Sequence, residues 1–359
     1  MANTAIEAVD LFCGVGGLSY GLQQAGIVVR GGFDVDTACS HPYERNLGAK
    51  FFEKDVGAVE PKEVERLYSP DAVRLLAGCA PCQPFSNYSN GRESKTDPKW
   101  PLLYRFARLI RKLEPELVTM ENVPNVVKHK VYHDFVQTLE SKGYKVWAGT
   151  VKCQEYGLPQ TRTRHVLLAS KLGPISLIGP THAGALRTVQ DAIGHLPPIS
   201  AGETHGNDPL HKAAGLSPLN LSRIRASRPG GTWRDWPEEL VAKCHKKESG
   251  STYPGVYGRM EWNAPSPTMT TQCHGFGNGR FGHPEQDRAI SLREAALLQS
   301  FPEDYVFTRP DEPVSLTAVG RMIGNAVPPR LGEIIGQSLL EHVKALSSET
   351  TPDARRNAA

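Results

Sequence analysis

A doubly wound α/β sheet with a smaller, irregular second region is the architecture this sequence predicts, on three observations. Short apolar runs end one after another in glycine or in an acid, as strands feeding a ligand-binding edge do. Helical patterns separate those runs over the first 170 residues. From 171 to about 288 the texture changes, with recurrent glycine and proline and seven of the twelve histidines. The regions expected are therefore 6–170, 171–288, a segment over 289–346 that completes the first region, and a frayed tail over 347–359.

The whole chain sets outer limits. With 359 residues, 39% hydrophobic and 22% charged, it has ordinary globular composition and ample material for a core. No apolar run reaches the length of a membrane span, and the first residues carry no signal-peptide pattern. Seven cysteines, an odd number without a repeating framework, suit a reducing cytoplasm. A net charge of +3 is too small to argue for nucleic acid by itself.

The first strand, 6–12, runs into Cys13-Gly14-Val15-Gly16-Gly17-Leu18 and then a helical pattern over 19–25. Strand, glycine turn and helix form a βα unit whose helix N-terminus can receive a charged ligand. The dinucleotide fingerprint G-x-G-x-x-G fails, because Ser19 stands where its third glycine belongs. The next strand, 28–33, ends in Asp34-Val35-Asp36, twenty residues after Gly14. Asp34 is placed to bond two ribose hydroxyls, Val35 to cover an adenine face, and Asp36 to cap a helix over 37–47. Asp55 closes a third short strand. Glycine, acid and acid at three strand ends describe an adenosine pocket.

A strand over 72–77 leads into Gly78-Cys79-Ala80-Pro81-Cys82-Gln83-Pro84. A cysteine at such a strand end is a nucleophile, a metal ligand, a redox partner or packing. Half of a zinc site would need a second cysteine pair, and the other five cysteines stand alone. A thioredoxin-like pair expects a helix beginning at its first cysteine, and Pro84 interrupts one. Beyond Cys82 comes a long polar loop to residue 100, then an amphipathic helix over 102–110. A strand over 116–120 delivers Glu121, where loss of water favours a carboxyl's protonated form. Strands over 145–152 and 165–170 are joined through Gln160-Thr161-Arg162-Thr163-Arg164, whose two arginines point the same way in an extended segment. They converge on one site or are solvated edge charges. In the irregular region Arg223, Arg225, Arg228 and Arg234 interleave with Trp233, Trp236 and Tyr253, a mixture suited to phosphate and base contacts or to a solvated insertion. Ser291 and Glu294 are spaced as a capping box, and a last helix covers 331–346.

Six motifs in this order resemble the C5-cytosine DNA methyltransferase family: DLFCGVGG at 10–17, PCQPFS at 81–86, ENV at 121–123, QTRTR at 160–164, REAALLQSFP at 293–302 and GNAVPP at 324–329. The resemblance implies a Rossmann-like sheet that binds S-adenosylmethionine, with a target-recognition region between QTRTR and REAALLQSFP. It implies Cys82 as nucleophile toward cytosine C6, Glu121 holding a proton at N3, and Arg164, supported by Arg162, holding O2. It assigns Phe12, Gly14, Gly16, Gly17, Leu18 and Pro81 to the cofactor, with Asp34 at the ribose, Val35 and Val56 at the adenine faces, Asp55 at the adenine amino group, and Asn325 and Val327 from the last motif. Duplex DNA is the implied partner, entered by base flipping. Ser86 and Arg92 lie on the loop expected to close over the base, and Arg223, Arg225, Arg228 and Arg234 in the region expected to read the site.

The expected enzyme is a cytoplasmic monomer of bacterial or phage type with no metal, and a restriction endonuclease acting separately is its conceivable companion. A tRNA cytosine-5 methyltransferase, and a non-catalytic binder or redox protein on the same sheet, are the alternatives. The chain departs from the family pattern at Cys79 and Ala80, where glycine or proline is usual, and at Val35, where an aromatic residue is common.

Overall fold

Ile6–Leu11 (β1) is buried at every position, as a strand covered on both faces must be. In the computed structural model, which describes residues 5–81, 101–250 and 252–349, β1 lies inside a seven-stranded sheet. It is followed by α1 (Gly17–Ala25), β2 (Val28–Asp34), α2 (Ser40–Leu47), β3 (Lys50–Glu53), α3 (Pro61–Glu65), β4 (Val73–Gly78), α4 (Pro101–Leu113), β5 (Leu117–Asn122), α5 (Lys130–Ser141), β6 (Lys145–Lys152), β7 (Gln160–Thr161) and β8 (Thr163–Ser170). The sheet order is β3-β2-β1-β4-β5-β8-β6.

β1, β2, β3, β4 and β5 run parallel, and β8 returns antiparallel to β5. The chain winds outward from β1 through β2 to β3, then crosses to β4 on the other side of β1. Strand order thus reverses between β1 and β4, the place at whose carboxyl ends such sheets take ligands. Beneath it, Phe106, Leu109 and Ile110 of α4 and Phe135 and Leu139 of α5 pack with Leu76, Val118 and Met120 of the sheet.

Contacts divide the chain into two compact units. The first comprises residues 1–151, 163–179 and 331–359, and the second 152–162 and 180–330. These limits differ from the expected 170 and 288. The second unit carries α6 (Val189–Ile193), β9 (Thr204–His205), β10 (Asp208–Lys212), α7 (Pro218–Ala226), β11 (Ser266–Pro267), α8 (Leu292–Leu298) and α9 (Leu316–Asn325). β11 pairs with β7, which explains how 152–162 comes to belong there. The last helix, α10 (Pro329–Glu349), rejoins the first unit from Leu331 onward. It is longer than its expected 331–346, and within the first unit it presses on α1. A Cβ on Gly332 would stand 2.7 Å from the Leu18 carbonyl oxygen, and one on Gly336 2.6 Å from Ala25 Cβ. Glycines four apart give α10 the flat face this approach needs.

The expected helix over 37–47 opens with a single 3-10 turn, Thr37–Cys39, before α2. Asp36 caps that turn by accepting from the Ala38 amide at 3.3 Å. α3, α5, α6, α7 and α9 lie outside the expected helices.

Candidate active site

The turn after β1 is built on unusual backbone. Phe12 has φ 59°, Gly14 φ 51° and Gly16 φ 91°, all in the left-handed region. A Cβ on Gly16 would also lie 2.6 Å from Leu47 Cδ1, whereas one on Gly14 would meet nothing within 4 Å. The turn is therefore packed underneath and open above. Asp34, at the end of β2, ties it down: Oδ2 accepts from the Gly14 amide and Oδ1 from the Asp36 amide, both at 2.9 Å. A carboxylate has about four lone-pair sites, so Asp34 retains acceptors for a ligand.

Other expected pocket residues are less free. Asp55 accepts from the Gly57 amide and from Arg105 Nη1, each at 2.6 Å. Burial would raise its carboxyl, but the hydrogen bonds from Gly57 and Arg105 outweigh it and leave Asp55 below its ordinary value. Val35 is exposed, with a free face to offer, and Phe12 and Pro81 are half-buried. Val56 is only 2% exposed, held in the core beside Phe33 and Phe106. Its expected place against an adenine face is corrected accordingly, because almost no side-chain surface remains to present. Gly17 and Leu18 are buried at the start of α1. Asn325, exposed at the end of α9, and Val327, buried, lie in the second unit.

Asp10 is a buried acid near the end of β1, with no expected role. Its Oδ2 accepts from Ser19 Oγ at 2.7 Å, and Oδ1 has no partner among the described residues. Burial pushes its carboxyl up to about 7, Ser19 partly opposes this, and the Asp34 charge adds to it. Between pH 4 and 7 the folded protein thus keeps a proton that the unfolded chain has released, so stability falls as pH rises through that window and levels off above it. Asp10→Asn should gain on the wild type across the same window by on the order of a few kcal/mol, apart from a pH-independent offset. Urea unfolding at pH 4.5, 6 and 7.5 measures the difference; parallel curves would mean that Asp10 is ionised throughout.

At the neighbouring strand ends, β5 delivers Glu121 and Asn122, both buried. Glu121 stands opposite Val166 in the β5–β8 register, and Arg164 lies two residues before Val166. Arg164 Nε lies 2.9 Å from Glu121 Oε1, an ion pair rather than an aligned hydrogen bond. Glu121 Oε2 accepts from the Cys79 thiol at 2.8 Å. Asn122 Nδ2 donates to the Ala80 carbonyl at 2.9 Å, which braces the end of β4 against β5. The segment leading to Cys82 is held by this brace; Cys82, Ser86 and Arg92 themselves lie outside the described residues.

Two expectations about arginines are corrected. Arg162 makes its described hydrogen bonds within the second unit, whereas Arg164 pairs with Glu121 in the first. Arg162 is 3% exposed, and its guanidinium donates to the carbonyls of Met269 at 3.1 Å and Ala326 at 3.4 Å inside the second unit. Alternation along a strand fails here because Arg162 falls between β7 and β8, where the chain passes from one unit to the other. Arg223, expected at DNA, is buried: Nε donates to the Leu240 carbonyl at 2.8 Å and its plane lies over Tyr257. Trp233 and Trp236 are likewise core, packed with Ile224, Phe276 and Ala289. A helix-poor region has few aliphatic residues to bury, so its aromatic side chains form the core. Arg225, Arg228 and Arg234 stay exposed, the first two paired with Asp287 and Asp235.

The second unit also holds a buried ion pair with no counterpart among the expected residues. Arg288, with 0% exposure, meets Glu294 through two bonds of 2.7 Å, while Glu294 accepts from the Ser291 amide in the expected capping box.

Comparison with known proteins bears on this arrangement directly. A family model described as C-5 cytosine-specific DNA methylase matches residues 6–341. The Type II methylase M.HgiDII of Herpetosiphon aurantiacus is 51% identical over 342 residues, covering 94% of this chain and 96% of that protein. The Type II methyltransferase M1.HphI of Haemophilus parahaemolyticus is 31% identical, covering 94% and 87%. Among solved structures, a prophage-encoded E. coli protein assigned as a DNA modification methyltransferase superposes with a TM-score of 0.70 at 23% identity, covering 95% of this chain and all of that one. A methyltransferase of Entamoeba histolytica superposes at 0.67 with 14% identity, covering 95% and 99%. These last two likenesses speak for the Rossmann-like sheet. The family match over nearly the whole length, on a chain that sets a buried glutamate against an arginine at the ends of adjacent strands, makes it a member of the C-5 cytosine-specific DNA methylases, and thus a DNA (cytosine-5)-methyltransferase.

Proposed function

We propose that this enzyme methylates C5 of a cytosine flipped out of a specific duplex DNA sequence, through a covalent bond between Cys82 and C6. The observation that carries this reading is the Glu121–Arg164 pair at the carboxyl end of β5, beside the strand that leads to Cys82. Cytosine C5 is a poor nucleophile. The Cys82 thiolate adds to C6, and the charge this drives into the ring is met by a proton that Glu121 holds at N3 and by Arg164 at O2. C5 is then nucleophilic enough to accept a methyl group, and loss of the C5 proton expels Cys82.

S-adenosylmethionine supplies the methyl group as an electrophilic sulfonium. The open space over Gly14 and the spare acceptors of Asp34 fit its amino acid and ribose, with Phe12, Gly16, Gly17, Leu18 and Pro81 around them. Val35 and Asp55 border the adenine, and the same reading assigns Asn325 and Val327 of the last motif to the cofactor. Duplex DNA is bound through Ser86 and Arg92 and through Arg225, Arg228 and Arg234; phosphates displace Asp287 and Asp235 from the arginines they now hold.

Incubation with S-adenosylmethionine and duplexes carrying 5-fluorocytosine tests this, since fluorine cannot leave as a proton does. A denaturation-resistant adduct on DNA, absent in Cys82→Ser, is expected. An adduct on similarly substituted tRNA alone would make the substrate RNA, and no adduct on either would end the covalent mechanism.

A further inference from the structure

Glu121 has only 3% of its side chain exposed, and two side chains hold it from different strands: Arg164 at Oε1 and the Cys79 thiol at Oε2. One contact does not orient a carboxyl group. The last torsion of a glutamate is broad and roughly two-fold, so a single partner leaves the plane free to rock. A second partner on the other oxygen removes that freedom.

Cys79 is well placed for this. Its backbone amide donates to the Leu11 carbonyl at 3.3 Å, and the next residue is clamped by Asn122 through the Ala80 carbonyl. The thiol is thus mounted on the sheet edge between β1 and β5. A residue without a polar side chain at this position would bring no donor. A thiol also has a property a fixed cation lacks: it donates to a carboxylate and weakly accepts from a carboxylic acid, so the contact survives when the carboxyl changes protonation state.

We propose that Cys79 is a positioning residue for methyl transfer, its thiol fixing the plane of the Glu121 carboxyl in both protonation states. This rests on the reading of Glu121 as the group that acts at N3. The contact is built from residues on three strand ends and does not involve the nucleophile.

Single-turnover methylation of a duplex that the wild type modifies, with Cys79→Ala and Cys79→Ser, tests the assignment. Loss of one such hydrogen bond should slow Cys79→Ala about tenfold, while the Kd values for DNA and S-adenosylmethionine stay within about twofold. Serine keeps a hydroxyl that donates and accepts, and should recover most of the rate. Pure packing gives the opposite order, because alanine is the apolar replacement and serine adds a polar group.

In a Glu121→Gln background, Cys79→Ala should change the rate by less than about twofold, since its effect passes through the carboxyl. A rate for Cys79→Ala equal to wild type, a serine variant no faster than alanine, or a full additive loss on Glu121→Gln would each overturn the inference alone. A wild-type protein that methylates no duplex would overturn the reading of the site, and this inference with it.

Discussion

Glu121→Gln is expected to slow single-turnover methyl transfer by about 10²- to 10⁴-fold, the range that a positioned proton donor contributes. Glutamine keeps the length and shape of the side chain and still offers an oxygen to Arg164, whose Nε lies 2.9 Å from Glu121 Oε1. What it cannot do is share an acidic proton with the ring nitrogen. Cofactor affinity should hardly change, since the glycine turn and Asp34 belong to other strand ends. Near-UV circular dichroism guards against a folding artefact, because leaving the half-buried Arg164 without its anion carries its own cost. A rate within threefold of wild type, on a folded variant, would remove Glu121 from the chemistry.

Arg288→Met should destabilise the second unit by about 3–5 kcal/mol, the penalty for stripping one partner from a buried ion pair. Arg288 has no exposed surface and makes two bonds of 2.7 Å to Glu294, with Nε directed at the Ile199 carbonyl at 3.0 Å. Glu294 would be left as a buried charge beside His283, whose Nε2 lies 3.6 Å away. In the intact protein burial pushes that imidazole down to about 4, with the Glu294 charge working against it and the Arg288 charge adding to it. Replacing both members, Arg288→Met with Glu294→Leu, should recover much of the loss. Because the chain has two compact units, the second unit's own transition must be followed, for instance through Trp233 and Trp236 fluorescence. A single variant as stable as wild type would show that the pair is not desolvated.

Much of the catalytic edge was legible in the sequence because it is local. A strand, a glycine turn and a helix are set by neighbouring residues, and Asp34 follows Gly14 at the interval that brings adjacent parallel strands level. Glu121 beside the β4 end was legible for the same reason, since apolar runs that alternate with helices pair in parallel. The capping box of Ser291 and Glu294 is likewise a three-residue device. What failed depends on distant partners. Arg162 and Arg164 look equivalent in the chain, yet Arg162 spends its donors on carbonyls more than a hundred positions away. Arg223 and the two tryptophans carry no mark distinguishing a nucleic-acid surface from a core, because both are made of flat rings and long cations. Asp10 could have been found: an acid between Val9 and Leu11 in a strand is costly to bury unless the fold uses or neutralises it.

The contact of α10 with α1 has a consequence for the order of synthesis. Leu18 and Ala25 leave the ribosome early, and the residues that close on them, Gly332 and Gly336, leave late. Through the intervening elongation α1 lacks the helix that lies against it in the finished protein. The nascent sheet must wait with that surface uncovered while the entire second unit is made, a delay that invites misassembly and chaperone attention.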